Sequence, residues 1–96
     1  MNVPMKEIIV TRVWVDATKV YAETADGLLA SYELSSWPRL ARASDSQRQD
    51  FQLSYFGIHW PQIDEDLSFE GMFLDNHLIN ATDNITICCN TGCLRT

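Results

Sequence analysis

Alternation of apolar and polar residues in the first third of the chain constrains the fold more than any other feature. Residues 7–15 and 19–24 are rich in β-branched and aromatic residues, and residues 28–34 alternate with a period of two. This period is typical of strands with one buried face. Asp26-Gly27 separates the last two runs, and glycine accepts a positive φ at no steric cost, which favours a tight hairpin. The pattern predicts a three-stranded antiparallel meander over residues 7–34.

The sequence then changes from strand-like runs to short helical signals. A proline at residue 38 is typical of a first helical turn and predicts a short helix over residues 37–42. Ser44 and Gln47 have the spacing of a capping box, in which each side chain bonds the other residue's backbone amide. A second helix is therefore predicted over residues 45–50.

A further strand and a closing helix are predicted after this excursion. Residues 51–58 have the composition of a strand, in which Gly57 marks a bulge or a close backbone approach. Ser68 is a good N-cap for a helix over residues 68–75. Apolar residues three and four positions apart give that helix one buried face, which consists of Phe69, Met72 and Phe73.

These elements together predict an α+β fold. It consists of a three-stranded antiparallel meander, a short helical excursion, a further strand and a closing helix packed on the sheet. Residues 1–75 are expected to form a single domain, because the strand and helix patterns weaken from Asp75 onward. Residues 76–96 contain one β-like run, Ile85–Cys88, and are expected to form a loosely structured C-terminal tail.

The acidic charge of the chain narrows the classes of partner. Thirteen acidic residues against seven basic ones give a net charge of −6. Residues 57–96 contain Arg95 as their only basic residue. Such a surface repels phosphate backbones, so direct nucleic-acid binding is not expected. It suits a basic protein partner, although solubility alone is the simpler interpretation.

The chain carries no recognisable membrane or secretion signal. No apolar run approaches the roughly 20 residues of a membrane-spanning helix, and the first residues lack the apolar core of a signal peptide. A cytoplasmic location is therefore expected. Cys88, Cys89 and Cys93 do not suggest a disulfide framework. With His77 they lack the second cysteine pair of a structural zinc site, and no cofactor is expected.

Several motifs in the middle of the chain resemble a bacterial family of domains of unknown function, family 2442. They are Trp37-Pro38-Arg39-Leu40, Gln47-Arg48, Gly57-Ile58-His59-Trp60-Pro61, Asp64-Glu65-Asp66 and the Ser68, Glu70 and Gly71 pattern. The resemblance covers about residues 8–74 and implies a small α+β domain without established catalytic residues. Some relatives are similar to the N-terminal part of helix-turn-helix proteins. Others lie beside a second small protein, an arrangement that looks like a toxin–antitoxin pair.

His59 and the acidic triplet Asp64-Glu65-Asp66 allow several interpretations. His59 is a candidate general base or metal ligand with one of these carboxylates, or a half-buried histidine that a carboxylate holds in place. The triplet is a candidate cation site, a cap for the following helix, or an acidic surface for a basic partner.

The three tryptophans and three arginines also have two interpretations each. Trp14, Trp37 and Trp60 suit core and rim packing, although one of them could anchor a protein interface. Arg39, Arg42 and Arg48 either form a solvated helical face or receive the acidic patch of a second copy in a homodimer. The predicted interaction residues are Trp37, Arg39, His59, Trp60, Asp64, Glu65, Asp66 and Glu70.

The expected function is a non-enzymatic protein-interaction or regulatory module. In its most specific form it is the antitoxin-like member of a bacterial toxin–antitoxin-type pair, with a basic partner. One alternative is an acidic inhibitor, of phage origin in one version, that blocks a nucleic-acid-binding host protein. The other is a small metal-binding protein or enzyme that uses His59 with Asp64 or Asp66.

Overall fold

The alternating first third of the chain forms three consecutive antiparallel strands, as predicted. The structure, a computed structural model, describes residues 6–80 and 85–95. The strands are β1 (Lys6–Val15), β2 (Lys19–Thr24) and β3 (Leu29–Glu33), with β2 in the middle of the meander. Their alternation turns one set of side chains into the core, including Val20, Ala22 and Ala30.

Side-chain hydrogen bonds stabilise the first turn of the meander, and a glycine conformation stabilises the second. The Asp16 carboxylate accepts hydrogen bonds from the backbone amides of Thr18 at 2.9 Å and Lys19 at 2.8 Å. These bonds to its charged form lower the pKa of Asp16. Gly27 has a φ of 87°, the left-handed conformation that the Asp-Gly pair predicted for this hairpin.

Short helices connect the meander to the second half, again as predicted. The capping box is present, because Ser44 Oγ accepts from the Gln47 amide at 3.1 Å and Gln47 Oε1 accepts from the Ser44 amide at 2.9 Å. Leu40 is fully buried beneath these helices. The elements are a 3₁₀ turn (Leu34–Ser36), α1 (Pro38–Ala41) and α2 (Asp45–Gln49).

The prediction of one strand over residues 51–58 is wrong. The segment folds back on itself as a hairpin of β4 (Gln52–Leu53) and β5 (Gly57–Trp60). The turn closes where the Ser54 amide donates to the Gly57 carbonyl at 2.9 Å. The strand-like composition of this segment therefore belongs in part to a turn, whose aromatic side chains lie outside the core.

A strand that the sequence did not predict completes this second sheet. β6 (Glu65–Ser68) pairs antiparallel with β5, which gives a three-stranded sheet in the order β4-β5-β6. The predicted close approach at Gly57 is confirmed. A Cβ atom at this position would lie 2.4 Å from the Leu67 carbonyl oxygen of the neighbouring strand.

The closing helix α3 (Phe69–Asp75) begins at the predicted cap. Ser68 Oγ accepts a hydrogen bond from the Gly71 amide at 3.0 Å. The predicted apolar face is buried against the sheets and consists of Phe69, Met72 and Phe73.

Much of the segment predicted as a loose tail is a strand. β7 (Ile85–Arg95) pairs in parallel with β1, and the larger sheet has the order β3-β2-β1-β7. Ile87 and Cys89 are buried beside Ile8 and Val10, their register partners on β1. The prediction of a loose tail is therefore wrong for residues 85–95. The apolar run 85–89 is short, and the strand it joins lies far away in sequence.

One hydrophobic core joins the two sheets and α3 into an α+β fold, which confirms the predicted fold class. The largest fully buried side chains of this core include Trp60, Phe51, Phe69, Phe73, Ile8 and Leu34.

Candidate functional site

His59 and Asp66 form a cross-strand pair on the three-stranded sheet. The register of β5 and β6 places them opposite each other, and His59 Nδ1 lies 2.7 Å from Asp66 Oδ1. The histidine side chain is 35% exposed and the aspartate 72%. Of the interpretations that the sequence left open, the geometry matches a half-buried histidine held by a carboxylate. The pair links two short strands at the protein surface.

Asp64 lies in the turn that connects β5 to β6. Its φ of 52° is left-handed, a conformation that aspartate tolerates better than most residues. Arg39, from α1, donates through Nη1 to the Asp64 carbonyl oxygen at 2.5 Å. Arg39 and Asp64 are both exposed. The helical excursion therefore holds the acidic turn in place through a backbone contact and leaves the Asp64 carboxylate at the surface.

The acidic triplet does not cap α3, so that prediction is wrong. β6 lies between the turn and the helix, and Ser68 provides the cap. Glu65 is half-buried, and its Oε1 accepts from the Asp66 amide at 3.1 Å. Glu70 is exposed in the first turn of α3, where the helix dipole favours a negative charge. The exposed acidic side chains Asp64, Asp66 and Glu70 are called the acidic surface below.

The two predicted tryptophans occupy different environments. Trp60 is fully buried, and its Nε1 donates to the Arg48 carbonyl at 2.9 Å. Its prediction as an interaction residue is therefore wrong, because no part of its ring is accessible to a partner. Trp37 is half-buried and packs edge-to-face on Tyr32, with ring centroids 5.2 Å apart.

The arginines do not form one basic cluster. Arg48 turns inward, where its Nε donates to the Leu40 carbonyl at 2.9 Å and its Nη2 to the Ala41 carbonyl at 3.2 Å. It thereby satisfies carbonyl groups at the end of α1. Of the three arginines predicted to receive the acidic patch of a second copy, Arg48 is therefore engaged within the chain, while Arg39 and Arg42 remain exposed.

Among the described residues, the side chains considered for a metal site do not come together. Within residues 6–80 and 85–95, no group of at least three His, Cys, Asp or Glu side chains is placed to hold a metal ion. His77 follows α3 with a φ of 58°, and Cys88 and Cys89 are buried thiols. The side chain of Cys93 lies outside the described residues.

Comparison with known proteins gives the chain a family. Residues 10–75 match the family described as "Protein of unknown function (DUF2442)". The chain belongs to this family. No curated protein and no solved structure matches the chain. The family segment, residues 10–75, extends from β1 to the end of α3, so β7 lies outside it. No helix in the described part of the chain is long and apolar enough to cross a membrane.

Sequence reasoning missed an exposed aromatic pair within the family segment. Tyr55 and Phe56 form the turn between β4 and β5 and are 54% and 59% exposed. Their rings pack edge-to-face at 4.7 Å. Their position between Ser54 and Gly57, two residue types common in turns, was the available signal. The predicted strand over residues 51–58 includes both aromatics.

Phe56 borders a groove of about 530 Å³ between α3 and β7. The groove contains one carboxylate, that of Glu70, and is otherwise lined by apolar and small side chains. Its residues are Phe56, Ser68, Glu70, Gly71, Leu74, Ile85, Thr86 and Ile87. An exposed aromatic side chain and a member of the acidic surface therefore meet at one concave site.

Proposed function

We propose that the protein is a non-enzymatic interaction module that binds a basic protein through its acidic surface. The observation that carries the proposal is the meeting of Phe56 and Glu70 at one groove. Exposed aromatic side chains next to charged groups are typical of protein interfaces, where the aromatic ring supplies buried area. Phe56 is 59% exposed and packs on the similarly exposed Tyr55, so the two rings form a joint apolar patch of the kind that protein partners cover.

The charge of the chain supports a basic partner. The net charge is −6, and Asp64, Asp66 and Glu70 are exposed. Carboxylates at the edge of an interface attract a positively charged protein and raise its association rate, an effect that salt screens. Arg39 holds the Asp64 turn by a backbone contact, which keeps this part of the acidic surface in a fixed position.

In its specific form, the protein is the antitoxin-like or regulatory member of a bacterial gene pair and acts in the cytoplasm. Two features support this form. The family resemblance includes relatives that lie beside a second small protein, and Cys88 and Cys89 are thiols, as expected in a reducing compartment. The partner would then be the product of the neighbouring gene.

A pull-down from the source cells with a tagged chain tests the proposal. We expect one stoichiometric basic protein that elutes as salt is raised, identified by mass spectrometry. The variant Asp64→Asn, Asp66→Asn, Glu70→Gln keeps the size of each side chain and should retain about tenfold less partner. The matched control Asp26→Asn, Glu33→Gln, Asp45→Asn removes the same charge from other exposed positions and should retain it fully.

The identity of the captured protein separates the proposal from its alternatives. A nuclease or another nucleic-acid-binding protein would favour the acidic inhibitor. Equal loss of partner in both triple variants would show that net charge, rather than this surface, drives binding. An empty pull-down at low salt would contradict a stable complex and redirect attention to the chemistry of His59.

A further inference from the structure

The outer edge of β7 is open beside the groove. In the order β3-β2-β1-β7, β7 is the last strand, and no described strand pairs with it on the side away from β1. The Cys89 amide points to that side, because it donates to the Tyr55 carbonyl at 2.7 Å. Backbone groups of alternate residues in a strand point the same way. The N–H and C=O groups of Ile85 and Ile87 therefore also face the open side.

The opposite edge of the same sheet is blocked at Ser31. Asn76, just after α3, accepts a hydrogen bond from the Ser31 amide at 3.2 Å and donates to the Ser31 carbonyl at 2.9 Å. Its side-chain amide thus occupies the positions that the backbone of an added strand would use on β3. Proteins commonly block exposed edges in this way, since open edges recruit other chains. Among the described residues, no side chain blocks the outward-facing backbone groups of Ile85 and Ile87 in this way.

The groove next to this edge suits side chains of an added strand. Its volume of about 530 Å³ falls in the roughly 300–1,000 Å³ range of binding pockets. Phe56, Leu74 and Ile87 supply apolar contacts, and Glu70 supplies the single charge. The site is complementary to an extended segment with an apolar and a basic residue two positions apart, because such side chains lie on the same face of a strand.

We propose that an extended segment of the basic partner adds to β7 as a strand over Ile85–Ile87. Its backbone would pair with the open N–H and C=O groups of Ile85 and Ile87. One apolar side chain would contact Phe56 and Leu74, and a lysine or arginine two positions away, on the same face, would lie beside Glu70. Strand addition of this kind takes affinity from main-chain hydrogen bonds and specificity from alternate side chains. The inference rests on the proposed function and names the structural form of the partner.

Synthetic peptides test the inference without the natural partner. The probe is a fluorescein-labelled eight-residue peptide with threonine at every second position and valine and lysine in turn between the threonines, so that valine and lysine share one face. This valine–lysine peptide is titrated with the full chain by fluorescence polarisation. Two versions carry N-methyl groups on every second amide, in opposite registers. One register removes the donors that pair with β7, and the other methylates amides that face away. We expect one version to bind about tenfold more weakly than the other. Equal binding by both would overturn strand addition.

Variants locate the peptide on the protein. Phe56→Ala should weaken binding of the valine–lysine peptide about tenfold, and Glu70→Gln about threefold. Leu29→Ala is the matched control, since Leu29 is an exposed apolar side chain on β3, at the opposite edge, and should change nothing. Hydrogen exchange should slow at the amides of Ile85 and Ile87 when the peptide binds. Absence of this protection would overturn the site.

Other results would contradict the inference while leaving the proposed function in place. Equal binding of a valine–glutamate peptide would contradict the basic partner segment. Sedimentation that shows a dimer abolished by Phe56→Ala would assign the edge to a second copy of the chain. A natural partner that is lost from the acidic-surface variant but retained by Phe56→Ala would preserve the interaction function and reject the β7 edge.

Discussion

The two sheets of this protein obtain their strand register in different ways. The four-stranded sheet has long strands, and the alternation of side chains along them decides which face enters the core. The three-stranded sheet has strands of two to four residues, too short for alternation to specify one register. Specific contacts fix it instead, namely the Gly57–Leu67 approach and the His59–Asp66 pair.

The difference shows where sequence variation is tolerated. In the larger sheet, each apolar position contributes a share of the burial, so similar side chains can replace one another. In the smaller sheet, one backbone contact fixes the pairing of β5 with β6, and a single methyl group is enough to break it. Truncations and substitutions in each sheet, with their effects on the free energy of unfolding, test this difference between the two sheets.

Removal of β7 is the largest expected perturbation. A chain that ends at Asn80 keeps α3 but uncovers Ile8 and Val10 and loses the burial of Ile87 and Cys89. Each such apolar side chain contributes about 1.5–3 kcal/mol when buried, and small domains have only about 5 kcal/mol of stability to lose. We expect urea unfolding to show no cooperative transition for this chain.

A chain that ends at Cys89 is the control, because it retains the pairs Ile8–Ile87 and Val10–Cys89. It should still unfold cooperatively. If the chain ending at Asn80 unfolds with the midpoint of the full protein, β7 is dispensable. The sequence-based prediction of a domain over residues 1–75 would then stand.

Substitution of Gly57 is the next largest effect and breaks the smaller sheet. In Gly57→Ala, the added Cβ would meet the Leu67 carbonyl at 2.4 Å, and this backbone atom cannot move without disturbing the pairing of β5 with β6. We expect a loss of about 3 kcal/mol in the free energy of unfolding.

Gly27→Ala is the matched control in the larger sheet. A Cβ at Gly27 meets nothing within 4 Å, so only its φ of 87° opposes alanine. The expected loss is about 1 kcal/mol, and Gly27→Asn should lose less, since asparagine tolerates this conformation. Equal losses at Gly57 and Gly27 would show that steric contact does not control the smaller sheet.

The same contrast explains which elements the sequence predicted. The meander, the capped helices and α3 depend on local patterns, so the Asp26-Gly27 turn, the Ser44–Gln47 box and the Ser68 cap were all visible. β7 depends on β1, a partner that is distant in sequence. β6 depends on contacts between single residues of β5 and β6. The composition of β6 carries little strand signal, since Glu65–Ser68 contains two acidic residues and one serine. β7 begins with the β-like run Ile85–Cys88, but nothing local to that run indicates its pairing with β1.

The candidate site was predicted less completely than the fold. The motif that identified the family placed His59, Asp64, Asp66 and Glu70 in one region, and the structure exposes most of this region. The motif could not distinguish Trp60, which the core buries, from surface aromatics such as Phe56. Burial depends on how the β4–β5 hairpin folds back, and a strand-like composition does not reveal the turn.

Asn76 joins the larger sheet to α3, and its removal should have an intermediate effect. Its side chain bonds both backbone groups of Ser31 and donates to the Met72 carbonyl at 2.7 Å. Asn76→Ala should cost about 2 kcal/mol, since it leaves part-buried backbone groups without partners. It should also increase association at high concentration, because the β3 edge becomes open.

Ser31→Ala controls for the side chain at that position, because Asn76 contacts only the backbone of Ser31. It should unfold within about 0.5 kcal/mol of the original protein, as surface substitutions usually do. If Asn76→Ala remains fully stable and monomeric by sedimentation, the edge is protected by some other means.

The smallest predicted effect concerns the end of α3, and it stabilises the protein. The His77 amide donates to the Leu74 carbonyl at 3.0 Å and the Leu78 amide to the Phe73 carbonyl at 2.9 Å. These two bonds and the left-handed φ of 58° at His77 form a Schellman motif, whose usual residue at this position is glycine. His77→Gly should therefore raise the free energy of unfolding by about 0.5 kcal/mol, after the greater freedom of glycine in the unfolded chain is subtracted.

Two further variants decide whether backbone conformation causes this gain. His77→Ala keeps the left-handed cost and should leave stability close to that of the original protein. Asp64→Gly relieves the other positive φ among non-glycine residues of the described chain, in the β5–β6 turn of the smaller sheet. Its gain should be smaller than that of His77→Gly, because aspartate tolerates the left-handed region. A loss of stability in His77→Gly would instead show that the imidazole stabilises the C-terminal end of α3 more than the left-handed backbone conformation destabilises it.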